Sequence, residues 1–151
     1  MIANPVRETP GDHPGMDRLT PERRSWLMSR VASRNTRPEM LVRQALHHLG
    51  YRYRLHDRKL PGKPDLVFSS RHKVLLVNGC FWHGHRCRYG RAVPKSNVEF
   101  WSKKFAMNRA RDARVRRELR ALGWRVHTIW ECEVKSNKWL EATIRFLDGA
   151  E

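Results

Sequence analysis

Apolar and polar residues follow two different periods along the chain, and their order predicts a mixed sheet flanked by helices. Helical spacing and helix-start signals predict helices over residues 20–32, 36–50, 96–123 and 137–147. Short alternating or β-branched runs predict strands over residues 51–55, 65–68, 74–77 and 124–130. The second and third strands are close enough in sequence to form a hairpin. We therefore expect an α/β fold with a mixed sheet.

Two capping boxes mark the starts of the second and third helices. Thr36 is followed three residues later by Glu39, and Ser96 is followed in the same way by Glu99. In a capping box the hydroxyl and the acidic side chain bond each other's backbone amides at the helix start. A glycine then follows the last apolar residue of each segment, which predicts where the two helices end.

The N-terminal composition predicts a flexible tail over residues 1–17, which hold three prolines and two glycines, and a single domain over residues 18–151. A chain of 151 residues can bury a core without disulfides. Its three cysteines, an odd number, indicate a reducing compartment. No run approaches the roughly 18 apolar residues of a membrane span. We expect a cytoplasmic protein, with no membrane association.

The strong positive charge points to a polyanionic partner. Lys and Arg number 31 against 15 Asp and Glu, for a formal net charge of +16, and Arg dominates. Arg binds phosphates and guanine in a bidentate manner that Lys does not match. Nucleic acid is the first candidate partner, and a merely soluble basic surface is the alternative. Charge alone separates neither DNA from RNA nor a binding protein from an enzyme.

Metal-binding chemistry is concentrated in residues 79–87, directly after the apolar strand. Cys80, His85 and Cys87 have ligand chemistry for zinc, and Cys132 would supply the fourth ligand of a tetrahedral site. The alternatives are buried thiols, or one disulfide with a spare thiol. His83 is a fifth candidate ligand, so one imidazole is left over to act as a general base. Spacing does not decide whether that surplus residue is His83 or His85.

Asp65 is the first carboxylate along the chain whose position indicates metal binding. It follows Pro64 at the start of a predicted strand, and Mg²⁺ needs only one or two such ligands besides water and a substrate phosphate. Alternatively, Asp65 simply closes the turn at Lys63 and Pro64.

The longest predicted helix combines an apolar stripe with two polar residues, Asn108 and Asp112. Both are expected on the same inward face, where they either make structural hydrogen bonds or hold the water shell of a metal. The stripe comprises Trp101, Phe105, Val115, Leu119 and Leu122. The opposite face, suited to phosphate contact, carries Lys103, Arg111, Arg114 and Arg117.

The adjacent aromatics Phe81 and Trp82 are not easily both turned inward on a strand or turn. Core packing is the default for such residues. An exposed aromatic beside basic residues, however, can stack on or wedge between bases. Trp101 is a third candidate for this role.

Several motifs together resemble the very-short-patch repair (Vsr) mismatch endonucleases. They are Gly-Cys-Phe-Trp-His-x-His-x-Cys at residues 79–87, Leu-Pro-Gly-Lys-Pro-Asp at 60–65, Glu-Phe-Trp at 99–101, and the segment from Gly123 to Cys132. The resemblance is collinear over roughly residues 20–135.

The resemblance implies a restriction-endonuclease-like fold with a structural zinc. It also implies nicking of double-stranded DNA 5′ to the thymine of a T·G mismatch, the lesion left by deamination of 5-methylcytosine. The implied zinc ligands are Cys80, His85, Cys87 and Cys132. The implied ligands of Mg²⁺ are Asp65 and the backbone carbonyl of Val77, with Asn108 and Asp112 holding its waters.

The resemblance further assigns His83 as general base and places Glu39 near the catalytic centre. Asn78 departs from the pattern, because some members have a second histidine there; asparagine can hydrogen-bond a phosphate but cannot transfer a proton. The residues expected to contact DNA are Phe81, Trp82, Trp101, Lys63, Arg86, Arg111 and Arg114.

The sequence thus predicts a Mg²⁺-dependent, zinc-stabilised mismatch endonuclease. We expect a monomer in the bacterial cytosol, associated with the nucleoid and with mismatch-repair proteins. One rival is a non-catalytic zinc-containing DNA-binding module. Another is a related restriction-system nuclease that cuts matched duplex.

Overall fold

A computed structural model describes residues 20–149, and the tail predicted over residues 1–17 lies outside them. Two helices open the described part of the chain. Helix α1 spans Pro21–Ser29 and α2 spans Arg37–His48, each preceded by a threonine whose hydroxyl accepts an amide hydrogen bond. The Glu39 carboxylate of the predicted first capping box is buried, where it contacts Arg43 and His56.

Four strands form one mixed sheet in the order β1-β2-β3-β4. They are β1 (Arg54–Leu55), β2 (Leu66–Phe68), β3 (Lys73–Asn78) and β4 (Arg125–Trp130). The first two pairings are antiparallel, whereas β3 and β4 are parallel. The predicted hairpin between β2 and β3 is confirmed, with a short 3₁₀ turn at Ser69–Arg71.

The first predicted strand, residues 51–55, is shorter than expected. Only Arg54 and Leu55 pair with β2. Tyr51 and Tyr53 instead pack edge-on against Phe68, at ring-centroid distances of 6.4 and 5.7 Å. The alternation in this segment therefore reflects side-chain packing rather than strand pairing.

Helix α3, Val98–Ala121, connects the parallel strands β3 and β4. Its N-cap is Asn97 in a left-handed conformation, with no side-chain capping bond, so the prediction that Ser96 and Glu99 form a capping box is wrong. The prediction that Leu122 belongs to the inward apolar stripe of this helix is also wrong. The helix ends at Ala121, and Leu122 is 58 % exposed because it lies beyond the last turn that packs on the sheet.

Two further helices follow β4. Helix α4, Glu131–Lys135, is a single short turn of helix that the sequence did not predict, and α5 spans Trp139–Asp148. The final predicted helix is confirmed, with its start shifted by two residues. Helix α4 positions Cys132 at the end of the strand.

The sheet is covered on both faces, as the alternation of β2 and β3 requires. Leu66, Phe68 and Leu75 pack on one face with residues of α2 and α5. Val67 and Val74 point to the other face and pack on α3. A mixed sheet between layers of helices is therefore confirmed. Within residues 20–149, none of the helices has both the length and the apolar character needed to span a bilayer.

Candidate active site and metal centre

Asp65 is anchored to the central strand at one edge of the sheet. It directly precedes β2, and its Oδ2 accepts a hydrogen bond of 2.7 Å from the amide of Val77, near the end of β3. The antiparallel pairing of β2 and β3 brings these two residues together. One carboxylate oxygen is thus fixed by the backbone, and Oδ1 is directed elsewhere.

Burial raises the pKa of Asp65 to about 6, and the charge of Glu39 adds to this rise. The Val77 amide and the positive charges of His83 and Arg43 oppose it. An ionised carboxylate in this setting is incompletely compensated, so the site favours binding of a cation.

Three side chains with metal-binding atoms meet here. Candidate ligand atoms of Glu39, His56 and Asp65 all lie within 4.8 Å of one another, and we call these residues the carboxylate cluster. Two carboxylates and an imidazole form a donor set that fits a divalent ion. The structure thus brings Glu39 next to Asp65, and metal binding by Asp65 stays a prediction.

The imidazole of His83 is paired with Asp112 of α3 through its Nδ1. Burial opposes ionisation of Asp112, but the hydrogen bond from His83 and its charge lower the pKa of Asp112 below its usual value. The pairing leaves Nε2 as the ring nitrogen available for proton transfer. A histidine oriented by a carboxylate is the arrangement that general bases use in many hydrolases.

Asn108 and Asn78 are both buried near this site. The amide of Asn108 donates a 2.6 Å hydrogen bond to the carbonyl of Trp82, which is the structural bond that the sequence suggested as one alternative. The amide nitrogen of Asn78 is buried without a hydrogen-bond partner. The roles of both residues in catalysis, and of the Val77 carbonyl in metal binding, stay predictions.

The four predicted zinc ligands are brought together, and we call them the cysteine–histidine cluster. Ligand atoms of Cys80, His85, Cys87 and Cys132 lie within 4.8 Å of one another. His85 Nδ1 is 3.7 Å from the sulfur of Cys80 and 3.6 Å from that of Cys132. Such spacing fits a tetrahedral ion with bonds of about 2.1 Å to nitrogen and 2.3 Å to sulfur.

The chemistry of this cluster also fits zinc. All three cysteines are free thiols, which removes the alternative of a disulfide with a spare thiol. Burial raises the pKa of the Cys80 and Cys132 thiols. Burial opposes ionisation of Cys87 too, but hydrogen bonds from the Gly90 amide and from His85 lower its pKa to about 6, so Cys87 is the thiol of the cluster that ionises most readily. Thiolates are the form that binds metal. His85 lies in the cluster and His83 does not, and the role of His83 as general base stays a prediction.

Trp130, at the end of β4, contacts both histidines. Its ring stacks on His85 at a centroid distance of 4.1 Å and meets His83 edge-on at 6.2 Å. The same tryptophan thus contacts the cysteine–histidine cluster and the imidazole of the candidate base. His83 and His85 are only two residues apart, yet His83 pairs with Asp112 and His85 lies in the cysteine–histidine cluster.

Phe81 turns inward whereas Trp82 is only half-buried, which agrees with the expectation that the two aromatics do not both turn inward. Their rings pack edge-to-face at 5.1 Å, and Phe81 also contacts Trp101 and Phe105, at 5.3 and 5.4 Å. We call these four residues the aromatic cluster. Trp101 is 1 % exposed, Phe81 is buried and Trp82 is half-buried at the edge of the cluster. Contact of these three with DNA stays a prediction.

The four basic residues expected at the DNA interface are exposed: Lys63, Arg86, Arg111 and Arg114. Arg111 lies 3.5 Å from Asp112, at the edge of the candidate site, whereas Arg114 lies 3.7 Å from Glu118 on the same helix. Their surface positions suit phosphate contact. Their role in DNA binding stays a prediction.

His56 and Trp130 are the site residues that sequence reasoning missed. A signal for His56 was present, because the pairing of Leu55 with Leu66 places the next residue opposite Asp65. The His56 amide indeed approaches the Asp65 carbonyl, at 3.4 Å. Predicting a pairing between the first two strands would have located this histidine.

The sequence model of the family described as DNA mismatch endonuclease Vsr matches residues 16–89 of this chain. Among curated relatives, the type II nicking enzyme V.XorIIP of Xanthomonas oryzae pv. oryzae is 57 % identical over 129 residues, which covers 85 % of this chain and 94 % of that protein. The type II nicking enzyme V.NmeAIP of Neisseria meningitidis is 43 % identical over 120 residues, covering 80 % and 85 %. The DNA mismatch endonuclease Vsr of Escherichia coli is 39 % identical over 117 residues, covering 78 % and 74 %.

Proposed function

The chain belongs to the Vsr family of DNA mismatch endonucleases and is a DNA-nicking endonuclease, and on that premise we propose that it nicks duplex DNA 5′ to the thymine of a T·G mismatch. The observation that carries the proposal is the hydrogen bond of His83 to Asp112, made in the segment directly after β3, whose end also holds Asp65 through the Val77 amide. A base and a cation-binding carboxylate at the same end of a sheet are what hydrolysis of a phosphodiester requires.

In the proposed reaction, His83 Nε2 accepts the proton of the attacking water. Asp112 holds the imidazole in the tautomer that leaves Nε2 unprotonated and stabilises the imidazolium that forms. The need to orient His83 explains why a carboxylate, Asp112, occupies the inward face of α3.

Asp65 would hold Mg²⁺, with the Val77 carbonyl as a second ligand and Asn108 and Asp112 near its waters. When bound, the ion supplies neutralisation of the charge that builds on the scissile phosphate and on its leaving oxygen. Glu39 and Asn78 complete the polar surroundings, and Asn78 can donate a hydrogen bond to the phosphate. The cysteine–histidine cluster would hold a structural zinc ion, which couples metal binding to folding.

The aromatic cluster is the part of the protein proposed to recognise the mismatch. Trp82, at its exposed edge, would enter the base stack first, supported by Phe81 and Trp101. Unstacking is least costly at a mispaired step, so a wedge favours mismatched over matched duplex. Lys63, Arg86, Arg111 and Arg114 would contact the phosphates.

We also expect the restriction-endonuclease-like fold, a monomeric enzyme in the bacterial cytoplasm and cooperation with mismatch-repair proteins. Cytoplasmic location agrees with the DNA-directed names of the bacterial relatives.

The decisive experiment offers the purified protein T·G-containing and fully matched duplexes of the same sequence, with Mg²⁺. The proposal predicts a single nick 5′ to the mispaired thymine and Mg²⁺ dependence. Cutting of the matched duplex at equal rate would favour a restriction-system nuclease instead. Binding without cleavage would favour a non-catalytic DNA-binding module.

A further inference from the structure

The side chain of His56 lies between the two carboxylates of the carboxylate cluster. Its Nε2 is 3.0 Å from Glu39 Oε1, and its Nδ1 is 3.8 Å from Asp65 Oδ1. Nevertheless Nε2 is buried and makes no hydrogen bond, so the 3.0 Å contact does not have hydrogen-bond geometry. A buried polar atom without a partner is rare and calls for a physical explanation.

We propose that Glu39, His56 and Asp65 together bind one divalent metal ion, and that the imidazole makes this site prefer Mn²⁺ to Mg²⁺. The inference rests on the proposed function, because it names the partners of Asp65 at the same site. It adds an imidazole ligand and a metal preference.

The spacing of the donor atoms supports a shared ion. Atoms that are each about 2.1 Å from one octahedral ion lie roughly 3–4 Å apart. An imidazole binds one ion through a single nitrogen, and Nε2, the nitrogen without a hydrogen-bond partner, is 3.0 Å from Glu39 Oε1. With one ligand atom taken from each of the three residues, the cluster spans no more than 4.8 Å. Asp65 Oδ2 is held by the Val77 amide, so Oδ1 is the oxygen that faces the imidazole.

Charge supports the same conclusion. The side chain of Glu39 is only 3 % exposed, and Arg43, 3.4 Å away, is the guanidinium beside it. Asp65 adds a second, largely buried carboxylate. Two buried carboxylates beside one guanidinium leave negative charge that a divalent ion would compensate.

The donor types set the metal preference. Carboxylates alone suit Mg²⁺ and Mn²⁺, whereas an imidazole adds affinity for transition metals and little for Mg²⁺. A site with two carboxylates and one imidazole therefore discriminates between the two ions. The competing explanation is a purely structural histidine, protonated and clamped between carboxylates, which predicts no contribution to metal affinity.

The test is Mn²⁺ binding by the full-length, zinc-loaded protein without DNA, followed by the loss of the free-ion electron paramagnetic resonance signal. Mg²⁺ affinity is obtained by competition. We expect one Mn²⁺ per chain, bound at least about tenfold more tightly than Mg²⁺. His56→Ala should weaken Mn²⁺ binding about 10–100-fold and Mg²⁺ binding much less.

Two further variants keep the test sharp. His56→Asp replaces the imidazole with a third carboxylate, so it should retain Mg²⁺ binding while the preference for Mn²⁺ falls; this result supports the site even if His56→Ala does not fold. Glu39→Gln should weaken both ions. His48→Ala, at an exposed histidine of α2, is the matched control and should bind like the wild type.

The outcomes separate this inference from the proposed function. If wild-type protein binds no Mn²⁺, or if folded His56→Ala and His56→Asp both keep the wild-type preference, the inference is overturned whether or not T·G duplexes are nicked. If the wild type fails to nick T·G duplexes but His56→Ala loses Mn²⁺ affinity, the proposed function falls and the metal site stands.

Discussion

His83 Nδ1 is hydrogen-bonded to Asp112, and this contact ties the segment after β3 to the middle of α3. The two residues are 29 positions apart in sequence. The contact determines which nitrogen of His83 is left free, and therefore at which atom the imidazole can accept a proton.

Asp112→Asn should lower the nicking rate of T·G duplex by roughly 10²–10⁴-fold, because the amide no longer selects the tautomer that leaves Nε2 free. His83→Ala should have a similar effect. Zinc content and mismatch affinity should stay near wild type in both. Glu118→Gln, a carboxylate change on the same helix, serves as control in single-turnover assays.

A normal rate for Asp112→Asn would show that Asp112 does not position the base. If His83→Ala released zinc and unfolded, the roles assigned to His83 and His85 would have to be exchanged.

Cys132→Ser should release the structural zinc and lower the melting temperature, since metal binding and folding are coupled. Zinc content by elemental analysis and thermal melts measure both effects. Ser136→Ala is a close control, because its hydroxyl bonds the Cys132 carbonyl at 2.9 Å but is not a predicted ligand. A wild-type protein that is stable without metal would contradict the zinc assignment.

Trp82→Ala should reduce discrimination between T·G and matched duplex more than it reduces affinity for matched duplex. The ring is the part of the aromatic cluster nearest solvent, and a wedge acts where unstacking is cheap. Competition binding with the two duplexes measures the ratio. Met107→Ala, at a residue 69 % exposed on α3, is the control. Equal loss of affinity for both duplexes would make Trp82 a generic contact.

Asp65→Asn should stabilise the protein at pH 7 in buffer without added divalent metal. The folded-state pKa of Asp65, about 6, lies above its unfolded value of about 3.9, so the folded state binds the proton more tightly. The free energy of unfolding therefore falls as pH rises from about 4 to about 6. The ionised carboxylate then costs about 2–3 kcal/mol, which the asparagine avoids.

Urea unfolding of the wild type and of Asp65→Asn across this pH range measures the difference between their free energies of unfolding. It should be small near pH 4 and reach its full size above pH 6, while Glu141→Gln, at an exposed carboxylate, should follow the wild type throughout. A constant difference across the range would mean that ionisation of Asp65 is not its source.

DNA affinity should fall roughly tenfold to thousandfold between low and moderate salt, because Arg and Lys side chains displace counterions from phosphates. Arg111→Gln should reduce the slope of log K against log salt by about one. Arg145→Gln, on α5, is the matched control. A flat salt dependence would show that the basic surface is not the DNA footprint.

Local patterns in the sequence were sufficient for most of the fold. Period and capping signals depend on neighbouring residues, so they located α1, α2, the β2–β3 hairpin and α5. They failed where a distant contact prevailed. Tyr53, for example, packs on Phe68 instead of pairing in a strand. The start of α3 was misplaced by one residue, because its N-cap is Asn97 rather than Ser96.

The residues of the candidate site likewise fall into those that the sequence could select and those that only the packed fold brings together. Cysteine and histidine spacing, with the motif resemblance, was enough to select the residues of the cysteine–histidine cluster, because their chemistry is specific. Which side chains meet depends on the packing of separate elements. The carboxylate cluster requires α2, the end of β1 and the start of β2 to converge, and only the tertiary structure placed His56 there. Burial, which raises the pKa of Asp65 and encloses Trp101, likewise results from the packed fold as a whole.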